Sequence, residues 1–364
     1  MPPFDDAQHR PYKPLTILSF GAGAIGTYIG GSLALVGHKV VFVEQPKVAD
    51  ELRQKGLRLG LGVDPRRTVQ TEFSLGSPAV EFATSLEQSL ASGPFDVALF
   101  ALKSYDTESA LQGMKPFADK LPPILCLQNG VDNEPAIAAV LGADKVIYGT
   151  VTSAIGRRAA GDIVLEKLRG MGVAAGHPLS ERLVEALDGA YLNARLFPKA
   201  ADMKWSKMLT NLLANPTSAI LDMTAAEVFA DPRLYRLEIE QLKECLAVIR
   251  AQGIGVVDLP GTPVRALALA TRLPLWLSKP FLSNAAGAGR GAKMPSFHID
   301  LHAGRGKSEV AYLHGAVVRA GEKFGLPTPV NKALAGTLLD LTAGKIPMNE
   351  FAHQPVKLLS LIAK

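Results

Sequence analysis

Leu15–Gln45, LTILSFGAGAIGTYIGGSLALVGHKVVFVEQ, carries the pattern that decides the fold. Leu15 to Phe20 is a short apolar run suited to a buried strand. Gly21-x-Gly23-x-x-Gly26 follows, and then a helical stretch that ends at Gly37, a residue suited to a helix C-cap. Val40 to Val43 resumes the β-branched pattern and closes on Glu44. Glycines in this turn let the backbone bend sharply and approach a pyrophosphate, which then sits at the N-terminus of the helix. A lone glycine motif is weak; one that follows a strand, opens a helix and is followed by a second strand with an acid at its end is a dinucleotide fingerprint. The backbone of Gly21, Ala22, Gly23, Ala24, Ile25 and Gly26 is therefore expected to bind the cofactor. Glu44 is expected to accept from the adenosine ribose hydroxyls and to repel a 2′-phosphate, which favours NADH slightly over NADPH. Lys47 and Arg53 could restore phosphate binding, or could simply face solvent.

Outward from this motif, FDVALFALKSYDT reads as a strand ending at Lys103, and PPILCLQNGVDNE as one ending at Gln128-Asn129-Gly130. Ligands of open parallel sheets gather at the carboxyl ends of strands, so Lys103 and Asn129 are candidates for the site. KVIYGTVTSAIGRRAAGDIVLE alternates as antiparallel strands do, and SERLVEALDGAYLNARLFP reads as a helix and a short strand. The α/β domain is expected over 15–197, after a flexible tail at 1–14 that has no apolar core of the kind a signal peptide carries. From 198 to 364 helical periodicity takes over. DPRLYRLEIEQLKECLAVIRAQG is an amphipathic helix with Asp231 as N-cap, Pro232 at its first position and Gly253 beyond its end. The expected fold class is α/β: a Rossmann-type dinucleotide-binding domain followed by an all-α domain.

Within the helical half, KMLTNLLANP (207–216) puts Lys207, Asn211 and Asn215 at four-residue spacing, a polar stripe on an apolar helix. A lysine packed among leucines is desolvated, which favours its neutral form and makes it a better acid. Pro216 restricts Asn215 toward an extended conformation, so the helix is expected to break there. In HAGRGKSEV, Gly304 and Gly306 end the helix that starts near Ser296. Ser308 then caps a new turn with Glu309 in it. Glu309 could serve the chemistry or merely complement a helix dipole.

Length and composition agree with a two-domain enzyme. The chain has 364 residues, 48% apolar and 20% charged, so it can bury two cores. A net charge of +5 suits a small anionic substrate and is too dispersed for nucleic acid. Cys126 and Cys245 form neither a disulfide framework nor a metal site, which fits a reducing, cytoplasmic setting. No metal-ligand set is expected. No run is long enough to span a bilayer, and membrane contact is not favoured.

FALKSYDT, LQNGVDNE, WSKMLTNLLANPTSAI and PSFHIDLHAGRGKSEV, in this order after a dinucleotide fingerprint, resemble the ketopantoate reductase family. The resemblance implies NAD(P)H-dependent reduction of a 2-oxo acid to a 2-hydroxy acid, ketopantoate to pantoate first among them. It implies that Lys207 is the general acid, that Asn129, Asn211, Asn215 and Ser296 bind substrate, and that Glu309 contacts the substrate hydroxyl. Lys103 and Asn129 would also meet the cofactor, and a homodimer is the default assembly. Four positions depart from the pattern: Ala225, Lys293 and His314 where the family has asparagine, and Gln45 where it often has arginine. The segment 259–299 is longer than usual and basic; it could be an added helix, a mobile cover or, least favoured, a membrane contact through Trp276 and Phe281. The rival functions are a β-hydroxyacid-type dehydrogenase, which the PSFHIDLHAGRGKSE stretch disfavours, and a nucleotide sensor without catalysis.

Overall fold

The computed structural model describes residues 13–67, 72–76, 78–280, 282 and 294–362. Most of the expected tail, together with Phe281 and Lys293, lies outside them. Two compact units divide the chain. The first takes residues up to Gln128, Asn133–Met203 and Leu259–Thr262; the second takes Asn129–Asp132, Lys204–Asp258 and Pro263 onward. By internal contact the division falls after Met203, within the helix Ala200–Leu212.

The first unit is built on β1 (Thr16–Phe20), β2 (Lys39–Val43), β3 (Leu57–Gly60), β4 (Glu72–Leu75), β5 (Val80–Ala83) and β6 (Val97–Phe100). It continues with β7 (Ile124–Cys126), β8 (Val146–Val151), β9 (Ala154–Ala159), β10 (Asp162–Lys167), β11 (Met171–Ala174) and β12 (Ala194–Phe197). An eight-stranded sheet runs in the order β12-β11-β8-β7-β6-β1-β2-β5, parallel throughout except where β11 meets β8. Its central strands read as mostly apolar runs because both faces are covered. Ile17 joins one core with Ile29, Val40 and Leu125, while its neighbour Leu18 joins the other with Phe100, Cys126 and Ile137. Alternate side chains of one strand thus feed two cores. The chain leaves β1 to form β2 on one side and returns to form β6 on the other, so the carboxyl end of β1 is the switch point where such sheets bind ligands.

The stretch expected to be antiparallel is divided between two sheets, and within the first β8 has an antiparallel neighbour only in β11. β8 pairs parallel to β7, while β9 and β10 form an antiparallel pair in a separate four-stranded sheet, β4-β3-β10-β9. Alternation alone cannot tell which partner a strand finds.

The second unit is helical. Pro232–Ala251 is the longest helix among its described residues, capped by the Asp231 side chain on the N–H of Arg233 and followed by Gly253 at φ 68°. The inserted segment contributes the helix Val264–Ala270, whose Ala270 packs in an apolar cluster with Ala214, Ala225, Phe229, Tyr235 and Ile239. That favours the added-helix reading for its described part. Trp276 stays 77% exposed. No helix among the described residues is long and apolar enough to cross a membrane.

Candidate active site

In the first unit the glycine turn links β1 to the helix Ala24–Leu35. Gly21 has φ +90°, a conformation that L-residues rarely adopt, and a Cβ on Gly26 would collide with the carbonyl oxygen of Gly21. Beside Gly23, by contrast, a Cβ would meet nothing within 4 Å. Gly23 is the N-cap and makes no side-chain cap bond, and no acid stands in the first turn, so the helix end offers its N–H groups to an anion. These residues fit the pyrophosphate of a dinucleotide. Glu44 lies at the end of β2 and reaches back to the turn, where its Oε1 accepts the Ala22 N–H at 2.5 Å. Lys47 and Arg53, the two cations expected to rescue phosphate binding, are both exposed, and Arg53 is bound to the carbonyl of Phe82 and to Asp50.

Lys103 follows β6 and caps the short turn Ser104–Asp106. A buried polar network fixes this turn. Gln128 donates to the Leu102 carbonyl at 3.0 Å and to Thr107 at 2.9 Å, while Asn133 donates to Ser104 at 3.2 Å and accepts from Thr107 at 3.1 Å. The strand expected to run to Lys103 ends at Phe100, and these supports were not expected. They stand in SYDT and VDN, polar stretches that look like ordinary turns.

In the second unit Lys207 and Asn211 lie half-buried on the helix Ala200–Leu212, among the buried Met208, Leu209 and Leu212. The helix does break, but one residue before the expected place. Ala214 takes the left-handed conformation at φ 55°, and Asn215 opens the next helix, Asn215–Leu221, with Pro216 in its first turn. Proline is tolerated there because the first N–H groups of a helix have no partner to lose. Asn215 is thus helical rather than extended. What permits the early break is Glu238, fully buried, whose carboxylate accepts the Ala214 N–H at 2.6 Å and the Thr217 hydroxyl at 2.5 Å. Glu238 is twenty-four residues from Ala214, beyond any local pattern.

A line of side-chain hydrogen bonds joins four of the expected residues. Asn211 Nδ2 donates to Asn129 Oδ1 at 3.1 Å, and Asn215 Nδ2 donates to the Asn211 carbonyl at 3.1 Å. Asn215 Oδ1 accepts the Phe297 N–H at 3.1 Å, and its amide meets Ser296 Oγ at 3.4 Å. Asn215 therefore caps, from a distance in sequence, the helix Ser296–His302. After Gly304 and Gly306, both near φ 64°, the Ser308 side chain accepts the Val310 N–H at 3.2 Å and leaves Glu309 buried in the turn Glu309–Tyr312.

Comparison with known proteins decides the family. "Ketopantoate reductase PanE/ApbA" matches residues 17–175, and "Ketopantoate reductase PanE/ApbA C terminal" matches 199–341. The chain belongs to the ketopantoate reductase family. This membership makes it an NAD(P)-dependent oxidoreductase. The 2-dehydropantoate 2-reductase of Archaeoglobus fulgidus is 26% identical over 89% of this chain and 95% of its own. That of Halobacterium salinarum is 27% identical over 86% and 95%. Among solved structures, the 2-dehydropantoate 2-reductase of Geobacter metallireducens matches with a TM-score of 0.71 at 25% identity, over 90% of this chain and 99% of that one. D-mandelate dehydrogenase with NADH and anilino(oxo)acetate shares the fold, with a TM-score of 0.72 at 19% identity, over 90% and 99%.

Against the ketopantoate reductase pattern, two of the departures become intelligible. Ala225 is buried in the apolar cluster and offers no polar group where the family has asparagine. His314 is buried and its Nε2 lies 3.0 Å from Gln241 Oε1. Gln241 Nε2 donates to Glu238, which orients the amide and makes the His314 Nε2 the protonated nitrogen. His314 thus belongs to the support of the Ala214 turn.

Proposed function

We propose that this protein reduces a 2-oxo acid to a 2-hydroxy acid with NADH or NADPH, ketopantoate being the first substrate to test. A bound nicotinamide supplies hydride to the carbonyl carbon. Lys207 gives a proton to the carbonyl oxygen as negative charge develops there. Asn129, Asn211, Asn215 and Ser296 bind the substrate, Ser296 at its carboxylate, and Glu309 contacts the hydroxyl. The glycine turn, Glu44, Lys103 and Asn129 bind the cofactor, with Glu44 favouring NADH.

The observation that carries this reading is the hydrogen-bonded line from Asn129 through Asn211 and Asn215 to Ser296, which meets the helix that bears Lys207 at Asn211. Amides and hydroxyls donate and accept without titrating, so they hold a hydroxy acid in a fixed protonation state. A cytoplasmic homodimer completes the reading, supported by two buried free cysteines and by the frequency of two-fold association.

The test follows loss of reduced-nicotinamide absorbance with NADH or NADPH and a panel of 2-oxo acids led by ketopantoate. Fast oxidation with ketopantoate supports the reading in full. Activity on another 2-oxo acid alone would reassign the substrate, as the apolar surroundings of Ala225 suggest. Silence across the panel with cofactor bound would favour a nucleotide sensor.

A further inference from the structure

We propose that Asp222, His298 and His302 form a binding site for one divalent transition-metal ion of the zinc class. The three side chains come from two packed elements. Asp222 terminates the helix Asn215–Leu221, and the two histidines stand one turn apart on the helix Ser296–His302. His298 Nε2 lies 2.7 Å from Asp222 Oδ1, and His302 Nε2 lies 3.8 Å from the same oxygen. One donor atom from each residue falls within 4.8 Å of the other two. Around a shared tetrahedral ion, with bonds of about 2.0–2.2 Å, donors stand about 3.3 Å apart, so small side-chain rotations would complete the site.

A hydrogen bond between His298 and Asp222 accounts for only two members of the group. It does not account for His302, whose ring stacks on that of His298 at 4.0 Å and turns its Nε2 to the same carboxylate. The backbone directs the carboxylate as well. Asp222 sits at φ 50°, a left-handed conformation that Asp and Asn tolerate better than other side chains, and the N–H of His353 bonds the Leu221 carbonyl beside it. Two imidazoles and one carboxylate favour zinc-class ions over magnesium or calcium, which prefer oxygen donors. Asp222 and His302 are each 44% exposed at the side chain, so an ion can reach them from solvent.

The site has a mechanical consequence. Asn215 and Asp222 flank one short helix, and Ser296, His298 and His302 lie on its partner. Asn215 holds the start of the second helix through Ser296 and the Phe297 N–H. A metal ion on Asp222, His298 and His302 would fasten the two helices at their other end and so stiffen the pair that carries Asn215 and Ser296.

The test uses the full chain, free of any affinity tag and stripped with chelator, titrated with zinc chloride by calorimetry and followed by thermal melting. One equivalent of Zn²⁺ is expected to bind and raise the melting temperature, as a ligand of the folded state alone must. His302→Gln and Asp222→Asn should each weaken binding by about tenfold or more, since loss of even an outer partner of a metal ligand costs that much. Both variants should melt with the wild type in the absence of metal, because His302 is exposed and Asn also tolerates the left-handed conformation. Mg²⁺ should leave the melting temperature unchanged. Absence of binding, or zinc binding that neither variant weakens, would overturn the assignment.

Discussion

Glu238 accepts the backbone N–H of Ala214 at 2.6 Å, and Ala214 is where the lysine-bearing helix turns into the next. The same carboxylate takes the Thr217 hydroxyl and the Gln241 amide, so one buried acid satisfies donors from two helices. Glu238→Ala would leave those three donors buried without partners, at about 1–3 kcal/mol each. The expected loss of folding stability is about 3 kcal/mol or more, measured by urea denaturation. A variant that unfolds at the wild-type midpoint would mean that the turn at Ala214 holds without Glu238.

Lys207→Ala should lower kcat by about 10²–10⁴-fold, the usual worth of a positioned general acid, while the dissociation constant of the cofactor changes little. Unchanged turnover would remove Lys207 from the chemistry. Ser296→Ala should instead act mainly on KM for the 2-oxo acid, because Ser296 is assigned to substrate and not to proton transfer. Steady-state kinetics on the two variants separate these roles.

What the sequence made legible follows from how local each signal is. The glycine turn, the Asp231 cap and the Ser308 cap each depend on residues within a few positions, and each stands where its pattern implies. The break near Pro216 was legible as a break, but its position was not. It is set by Glu238 on another helix, and a proline in the first turn of a helix is as acceptable as one that ends it. Likewise β8 and β9 look alike in sequence, yet one joins the parallel sheet and the other leaves it. The excursion of Leu259–Thr262 into the first unit rests on a bond from Thr152 to the Pro260 carbonyl, 108 residues apart, and had no local signal at all.

Glu44→Ala should shift nucleotide preference. Its carboxylate lies on the glycine turn, accepting the Ala22 N–H. Removing it takes away an acceptor for ribose hydroxyls and a negative charge that would face a 2′-phosphate. The ratio of NADPH to NADH dissociation constants is expected to fall by about tenfold, equivalent to about 1.4 kcal/mol. Fluorescence titration of both nucleotides measures it, and an unchanged ratio would show that Glu44 serves the turn rather than the ribose.

The pH dependence of stability should carry the mark of His314. Burial pushes its pKa from an ordinary 6.5 down to about 3, and its Nδ1 has no hydrogen-bond partner among the described residues. Below about pH 6.5 the unfolded chain takes up a proton that the folded chain refuses, so the stabilisation is whole above that value and is lost as the pH falls toward 3. At pH 5 the deficit from this one group is about 1.5 units at about 1.4 kcal/mol each, or about 2 kcal/mol. His38, also buried and lowered to about 4, first by burial and then by the charge of Arg182, adds a loss of the same sign. In His314→Asn the neutral amide can still donate to Gln241 and has nothing to titrate. Urea midpoints at pH 7 and pH 5 should therefore show the wild type losing about 2 kcal/mol more than the variant over that interval. Equal losses would mean that His314 is protonated in the folded protein, which its buried position and its bond to Gln241 both oppose.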